Sequence, residues 1–220
     1  MAHAGVEELP MVGGHAGLDL INTVEPRYDT PDRTEHLRTP DDLLVWVGRA
    51  GLLLPGEVVT QRAAWAGNPA AAQAALHEVL GVREATHRVL RARLDGGLGT
   101  VPGDLERLAR AWREALGRST VTPSHDTDRA VVLEVGTVAG HTVGDRVAWA
   151  SHDLLVNTDL DRLRACPHEH GGCGWMFLDR SRNRSRRWCV MADCGTRVKA
   201  SRLTARRRAA RNAAAPPTAP

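Results

Sequence analysis

The chain has 220 residues, 42% apolar and 25% charged, the make-up of an ordinary globular protein with length for one large domain or two smaller ones. No apolar run approaches the roughly 18 residues of a spanning helix. MAHAGVEELPMVGG lacks the blocks of a secretory signal, so a cytoplasmic protein away from membranes is expected. The net charge of +3 conceals an asymmetry: Arg180 to the C-terminus holds twelve Lys/Arg and one acid, for +11, against −8 over residues 1–179. A basic end on an acidic body points to an anionic partner for that end.

In chain order, residues 1–14 read as a flexible leader. GLDLINTV (17–24) is apolar with mixed periodicity, strand or helix, and EPRYDTPDRTEH reads as a polar loop. Thr39-Pro40-Asp41-Asp42 has the chemistry of a helix start, with Thr as N-cap, Pro in the first turn and acids beside the positive helix end. The helix it opens runs to about Gly51, and helix-start chemistry explains the Asp41/Asp42 pair better than catalysis does. Pro55–Ala66 is expected to be helical. Asn68-Pro69 repeats the cap signal before Ala70–Leu94, where His77 and His87 are read as surface or packed side chains.

GGLGTVPG (96–103) lacks the Lys-Ser/Thr ending of a phosphate loop and reads as a connector before a helix over Asp104–Leu116. The alternation of Val131, Leu133 and Val135 suggests a short hairpin with the preceding STVT. Val143–Val156 is expected to be helical, with DLDRLRAC (159–166) a further short helix. Ser151-His152-Asp153 holds triad residue types, but adjacent helical side chains diverge and cannot form a relay. No catalytic motif appears, so no catalytic residue is assigned and no enzyme is expected.

The four cysteines, Cys166, Cys173, Cys189 and Cys194, form C-x6-C-x15-C-x4-C. Two pairs around a longer insert suit one structural, tetrahedral Zn2+. A reducing cytosol disfavours disulfides, and clustering disfavours four scattered core thiols. His168 and His170 in the wide first loop are alternatives to Cys166. Gly174 and Gly195, each directly after the second cysteine of a pair, permit the tight turns a metal loop needs. A segment of about 45 residues with so few apolar side chains has a thin core, which structural zinc, at roughly 10–16 kcal/mol of apparent binding free energy, could support.

Between the pairs, LDRSRNRSRRW crowds Arg180, Arg182, Arg184, Arg186 and Arg187 onto a connector. Like charges this dense repel unless an anion lies against them, and nucleic-acid phosphate is the natural partner. Arg197, Lys199 and Arg202 continue the basic run on an expected helix after Cys194. The rings of Trp175, Phe177 and Trp188 would pack around the metal site, or stack on unpaired bases if the target were RNA.

CGWMFLDRSRNRSRRWCVMADCGTRVKA closely resembles the CGNR-type zinc finger of bacterial transcription regulators. GLDLINTV, PDDLLVWVGRAGLL and AWASHDLL resemble the ABATE domain that precedes it. The resemblance implies a stress-related regulator whose zinc ligands fall on Cys166, Cys173, Cys189 and Cys194. The motif asparagine is replaced by Thr196, which would serve as a helix cap at modest cost or alter specificity if that position reads a base. The first cysteine pair is also more widely spaced than is usual in the family.

The expected architecture is α+β, divided into a leader (1–14), a mostly helical ABATE-like regulatory domain with a short hairpin (15–160), a four-cysteine zinc finger with basic helix (161–211) and a disordered tail (212–220). The expected function is transcription regulation through DNA, with sensing or dimerisation in the first domain. A homodimer and a small-molecule effector are further possible partners. The alternatives are an RNA-binding protein and a small-molecule-binding or enzymatic N-terminal domain for which the finger only docks.

Overall fold

The structure, a computed structural model, describes residues 5–126, 128–200, 203, 204, 206 and 207. Arg202 and the expected tail at 212–220 lie outside the described residues. The described chain is mostly helical with three two-stranded antiparallel sheets.

Helix starts follow local chemistry. The helix Pro40–Arg49 (α2) opens on a capping box: the Asp42 N–H donates to Thr39 Oγ1 at 3.1 Å, and the Thr39 N–H to Asp42 Oδ2 at 2.8 Å. Asp41 pairs with Arg62 at 2.8 Å, so both acids serve this helix and its neighbour. The helix Pro55–Gly67 (α3) follows, and Asn68 then caps the long helix Pro69–Leu94 (α4) by accepting from the Ala71 N–H. A helical turn, Leu98–Thr100, leads to Pro102–Gly117 (α5).

The ambiguous 17–24 segment resolves into both structures: a helix, Ala16–Ile21 (α1), then a two-residue strand, Val24–Glu25 (β1), paired with Thr34–Glu35 (β2). Thr120–Pro123 (β3) and Val131–Glu134 (β4) form the expected hairpin. The helix Thr142–His152 (α6) continues as a wider π turn to Asn157.

Two expectations are corrected. The segment 159–166 makes only a short turn at Leu160–Arg162. It then becomes the strand Leu163–Ala165 (β5), paired with Met176–Leu178 (β6) in the register Leu163↔Leu178, Arg164↔Phe177, Ala165↔Met176. From Gly5 onward the leader is packed: Val6 and Leu9 are buried, and Arg49 donates to the carbonyls of both.

The long α4 touches α1, α2, α3, α5 and α6. Its alanines at 72, 75 and 85 alternate with Leu76, Val79 and Val82, letting neighbours approach closely around Leu43, Trp46, Leu108 and Val147. The 25–36 loop is polar but not all exposed. Arg27, 2% exposed in its side chain, pairs with Glu84 at 2.9 Å, and Arg83 donates to both carboxylate oxygens of Glu35 at 2.6 and 2.7 Å. Burial lowers the Arg27 guanidinium to about 10, still charged at neutral pH because Glu84 faces it.

The cysteine segment is no separate thin-cored module. Cys166, Cys173, Trp175, Phe177, Cys189 and Cys194 belong to the same hydrophobic core as α2 and α4, while Met176 and Leu178 join Leu18, Ile21, Leu90 and Leu154 in a second cluster.

Candidate metal centre and basic loop

The β5–β6 hairpin places the first cysteine pair at its closing end. The Cys166 N–H donates to the Trp175 carbonyl at 2.8 Å, and the Gly174 N–H returns to the Cys166 carbonyl at 3.2 Å. Between them the wide loop is taken up by a helical turn over His168–His170. Gly174 has φ +77, a left-handed turn that a side chain disfavours. Gly195 meets its expected role differently: its φ is not positive, and a Cβ there would press on Met191 and the Trp188 ring. The second pair comes from Cys189 and a π turn, Met191–Gly195, that ends beside Cys194.

All four sulfurs are buried and lie within 4.8 Å of one another, with Cys173–Cys189 at 3.3 Å and Cys189–Cys194 at 3.6 Å. Four thiolates about 2.3 Å from a tetrahedral zinc would stand about 3.8 Å apart, so the set fits one ion. No two are joined as a disulfide. Hydrogen bonds from Cys173, then Cys189 and Cys194, hold the Cys166 thiol far below its ordinary range, while contact with Cys166 pushes the Cys173 thiol up. A divalent ion relieves the conflict by displacing the protons and letting every sulfur ligate. His168 stands elsewhere, its ring 5.5 Å from that of Tyr28, and the His170 side chain lies outside the described atoms.

The arginine connector has a frame. Asp179, fully buried, accepts from the Ser181 N–H at 2.9 Å and the Ser181 hydroxyl through one oxygen, and from the Arg186 N–H at 2.9 Å through the other. These bonds, the Ser181 hydroxyl's foremost, hold its carboxyl below the usual range. Ser181 Oγ in turn accepts from the Ser185 N–H at 3.0 Å. Asp179 thus closes a loop over residues 180–186.

The expected nucleic-acid residues divide accordingly. Arg182, Arg184 and Arg187 are exposed and make no side-chain hydrogen bond or ion pair with another described residue, and the same holds for Lys199. Arg180 is exposed but donates to the Gly14 carbonyl at 2.8 Å. Arg186 turns inward: its guanidinium lies 4.3 Å over the Phe177 ring and donates to the carbonyls of Trp188, Cys189 and Val12. Arg197 donates to Cys194 Sγ at 3.1 Å, offsetting charge at the thiolates.

Residues 196–200, 203, 204, 206 and 207 are helical, and the continuity of the expected basic helix falls on residues outside the description. Thr196 is already inside that turn, its hydroxyl donating to the Met191 carbonyl at 3.3 Å, so it does not act as the N-cap acceptor. Trp175 and Phe177 are buried, the former donating from Nε1 to the Val24 carbonyl at 2.8 Å.

The model of the CGNR zinc finger matches residues 162–207, and the ABATE model, described as "Putative stress-induced transcription regulator", matches residues 14–158. The chain belongs to the ABATE family. In this ABATE protein the four finger cysteines form a buried cluster that fits one structural zinc. No curated protein matches the chain.

Elsewhere in the ABATE domain the triad residue types disperse as expected. The Ser151 hydroxyl bonds Trp112 Nε1 and the Ala148 carbonyl, the His152 ring stacks on Trp149, and Asp153 pairs with His15 at 3.0 Å. His77 is exposed beside Gln73, and burial lowers His87 to about 3, which keeps it neutral. A cleft of about 490 Å³ lies between β4, α6 and the start of α1. Its Arg146 is already engaged by both oxygens of Glu57 and by the carbonyls of Leu52 and Val135. No helix among the described residues is long and apolar enough to cross a membrane.

Sequence reasoning missed Asp179, which frames the arginine loop, and Asn22, whose side-chain amide bonds both backbone groups of Met176. Asp179-Arg180-Ser181 carried a legible signal, an Asp two residues ahead of a backbone N–H it can accept. Asn22 carried none.

Proposed function

We propose that this ABATE protein is a DNA-binding transcription regulator whose finger grips the phosphate backbone and whose zinc is structural. The observation that carries the reading is the display of Arg182, Arg184 and Arg187 on a loop closed by a buried carboxylate beside the four-thiol site. Four thiolates close a zinc shell and leave no position for an activated water, which supports a protein that is not an enzyme. The ABATE domain, with its cleft of about 490 Å³, is the part suited to sensing or dimerisation.

Burial of Trp175 and Phe177 favours duplex DNA over single-stranded RNA, because neither ring can stack on a base without leaving the core, which leaves the half-buried Trp188 as the one of the three rings open to stacking. The test is fluorescence anisotropy with a duplex against a single-stranded RNA, across salt concentrations. Three phosphate contacts give a slope of about −3 in log K against log salt. Binding unchanged from about 50 to 200 mM salt, or tighter binding to the RNA, refutes the reading.

A further inference from the structure

The arginine loop has a facing wall. Arg164 on β5 sits across the strand pair from Phe177, the ring beneath Arg186, and its Nη1 donates to the carbonyls of Asp161 and Leu163. Arg164, Arg184, Arg186 and Arg187 line one groove of about 460 Å³, open to solvent, with Ala165 and Pro167 along it and a single acid, Glu169. The strand that carries Arg164 runs directly into Cys166, and the loop that carries the other three runs into Cys189, so the zinc ligands tie the two walls together.

We propose that this groove seats one phosphodiester strand of DNA, with Arg164 as a contact on its far wall and Asp179 as the positioning residue for the near one. The inference rests on the DNA reading above and adds a location and two residues to it. A surplus of three positive charges around a groove open to solvent suits a polyanion. Asp179 never faces the groove. Its two oxygens join Ser181 to Arg186, setting where the segment 182–185 stands.

Asp179→Asn separates this role from simple charge. The substitution removes a negative charge, which by charge alone tightens DNA binding. It also leaves an amide with one accepting oxygen, so the bonds to Ser181 and Arg186 cannot both persist. The positioning role therefore has the opposite sign to the charge effect.

The experiment uses the full, zinc-loaded chain and a mixed-sequence duplex, titrated by anisotropy between about 50 and 200 mM salt. Metal content and far-UV circular dichroism are measured on every variant. Arg164→Ala is expected to weaken binding about eightfold at roughly 0.1 M salt and flatten the slope by about 0.9, the share of one phosphate. Arg110→Ala, an exposed charge on the remote α5, serves as the control for lost charge alone. Asp179→Asn is expected to weaken binding and flatten the slope while zinc stays at one per chain. Should that variant lose its metal, Ser181→Ala removes the Ser185 link and is expected to act in the same direction. Arg164→Ala behaving like Arg110→Ala overturns the groove, and folded loop variants binding as tightly as the parent overturn the positioning role. A parent chain that binds no duplex even at about 50 mM salt instead overturns the DNA reading beneath both.

Discussion

Asn22 offers the sharpest test of how the finger is held. Its side chain is buried, and it treats one residue of β6 as a neighbouring strand would: Nδ2 donates to the Met176 carbonyl at 2.9 Å, and Oδ1 accepts from the Met176 N–H at 3.0 Å. Two residues on, the Leu178 N–H donates to the Gly13 carbonyl at 2.8 Å. The ABATE domain thus completes the edge of β6 that β5 does not cover. Asn22→Ala leaves a buried donor and a buried acceptor without partners. Each such group costs about 1–3 kcal/mol, so the expected loss is about 2–6 kcal/mol. That is a large fraction of the roughly 5–15 kcal/mol that keeps a domain folded.

The assay has two arms. Urea unfolding followed by tryptophan fluorescence gives the stability, and transfer of zinc to a chromogenic chelator gives the rate of metal release. One cooperative transition is expected for the parent, because the sulfurs and α4 share a core. The Asn22→Ala variant is expected to shift that transition down as a whole and to release zinc faster, although the residue touches no ligand. Unchanged zinc release together with two separate transitions would refute the docking argument, since an independent finger ignores a defect in its neighbour.

Two further outcomes follow from the site. Cys189→Ser is expected to take metal content from one zinc per chain to none, measured by elemental analysis, and to reduce the near-UV signal of Trp175, which shares the core with the sulfurs. Arg186 and Arg187 are adjacent and chemically identical but should separate cleanly. Arg187→Ala weakens DNA binding with stability unchanged within about 0.5 kcal/mol, as for exposed sites in general, whereas Arg186→Ala lowers the melting temperature because its carbonyl partners and the Phe177 face lose their cation. Equal melting temperatures for the two variants would count against the inward placement.

What was legible in the sequence was local. The caps at Thr39 and Asn68 lie within three residues of the groups they bond, and the thiols lie within one short span, so spacing alone exposed them. Partnerships across long separations were not legible. The polar 25–36 loop gives no sign that Arg27 is buried, because the Glu84 that makes this tolerable is 57 residues away. The segment 159–166 read as helix because Leu160 and Leu163 have helical spacing. Pairing with β6 overrides that weak preference, and three residues are too few for strand alternation to show. The leader looked loose by composition because its partners are distant, Arg49 lying 40 residues from Leu9 and the arginines on Val12 and Gly14 farther still.

These long-range partnerships also change what the metal is for. A thin-cored finger would need zinc to fold at all, but β6 is already gripped by Asn22 and Gly13, and Trp175 and Phe177 are already inside the larger core. The far end of the arginine loop is held by Arg186 on the Val12 carbonyl and by the burial of Cys189 and Cys194. Past Trp188 the chain carries Cys189 and Cys194, and a metal held by the four sulfurs would fasten these to the pair at Cys166 and Cys173. A zinc held there would add a further closure at the second end of the loop, against the mutual repulsion of five arginines. The leader takes part in the same restraint, since Arg180 and Arg186 each give a guanidinium bond to the carbonyls of Gly14 and Val12 respectively. Residues 12–14 thus anchor two arginines and β6 together, and the loop that displays Arg182, Arg184 and Arg187 is positioned by the ABATE domain as much as by the metal.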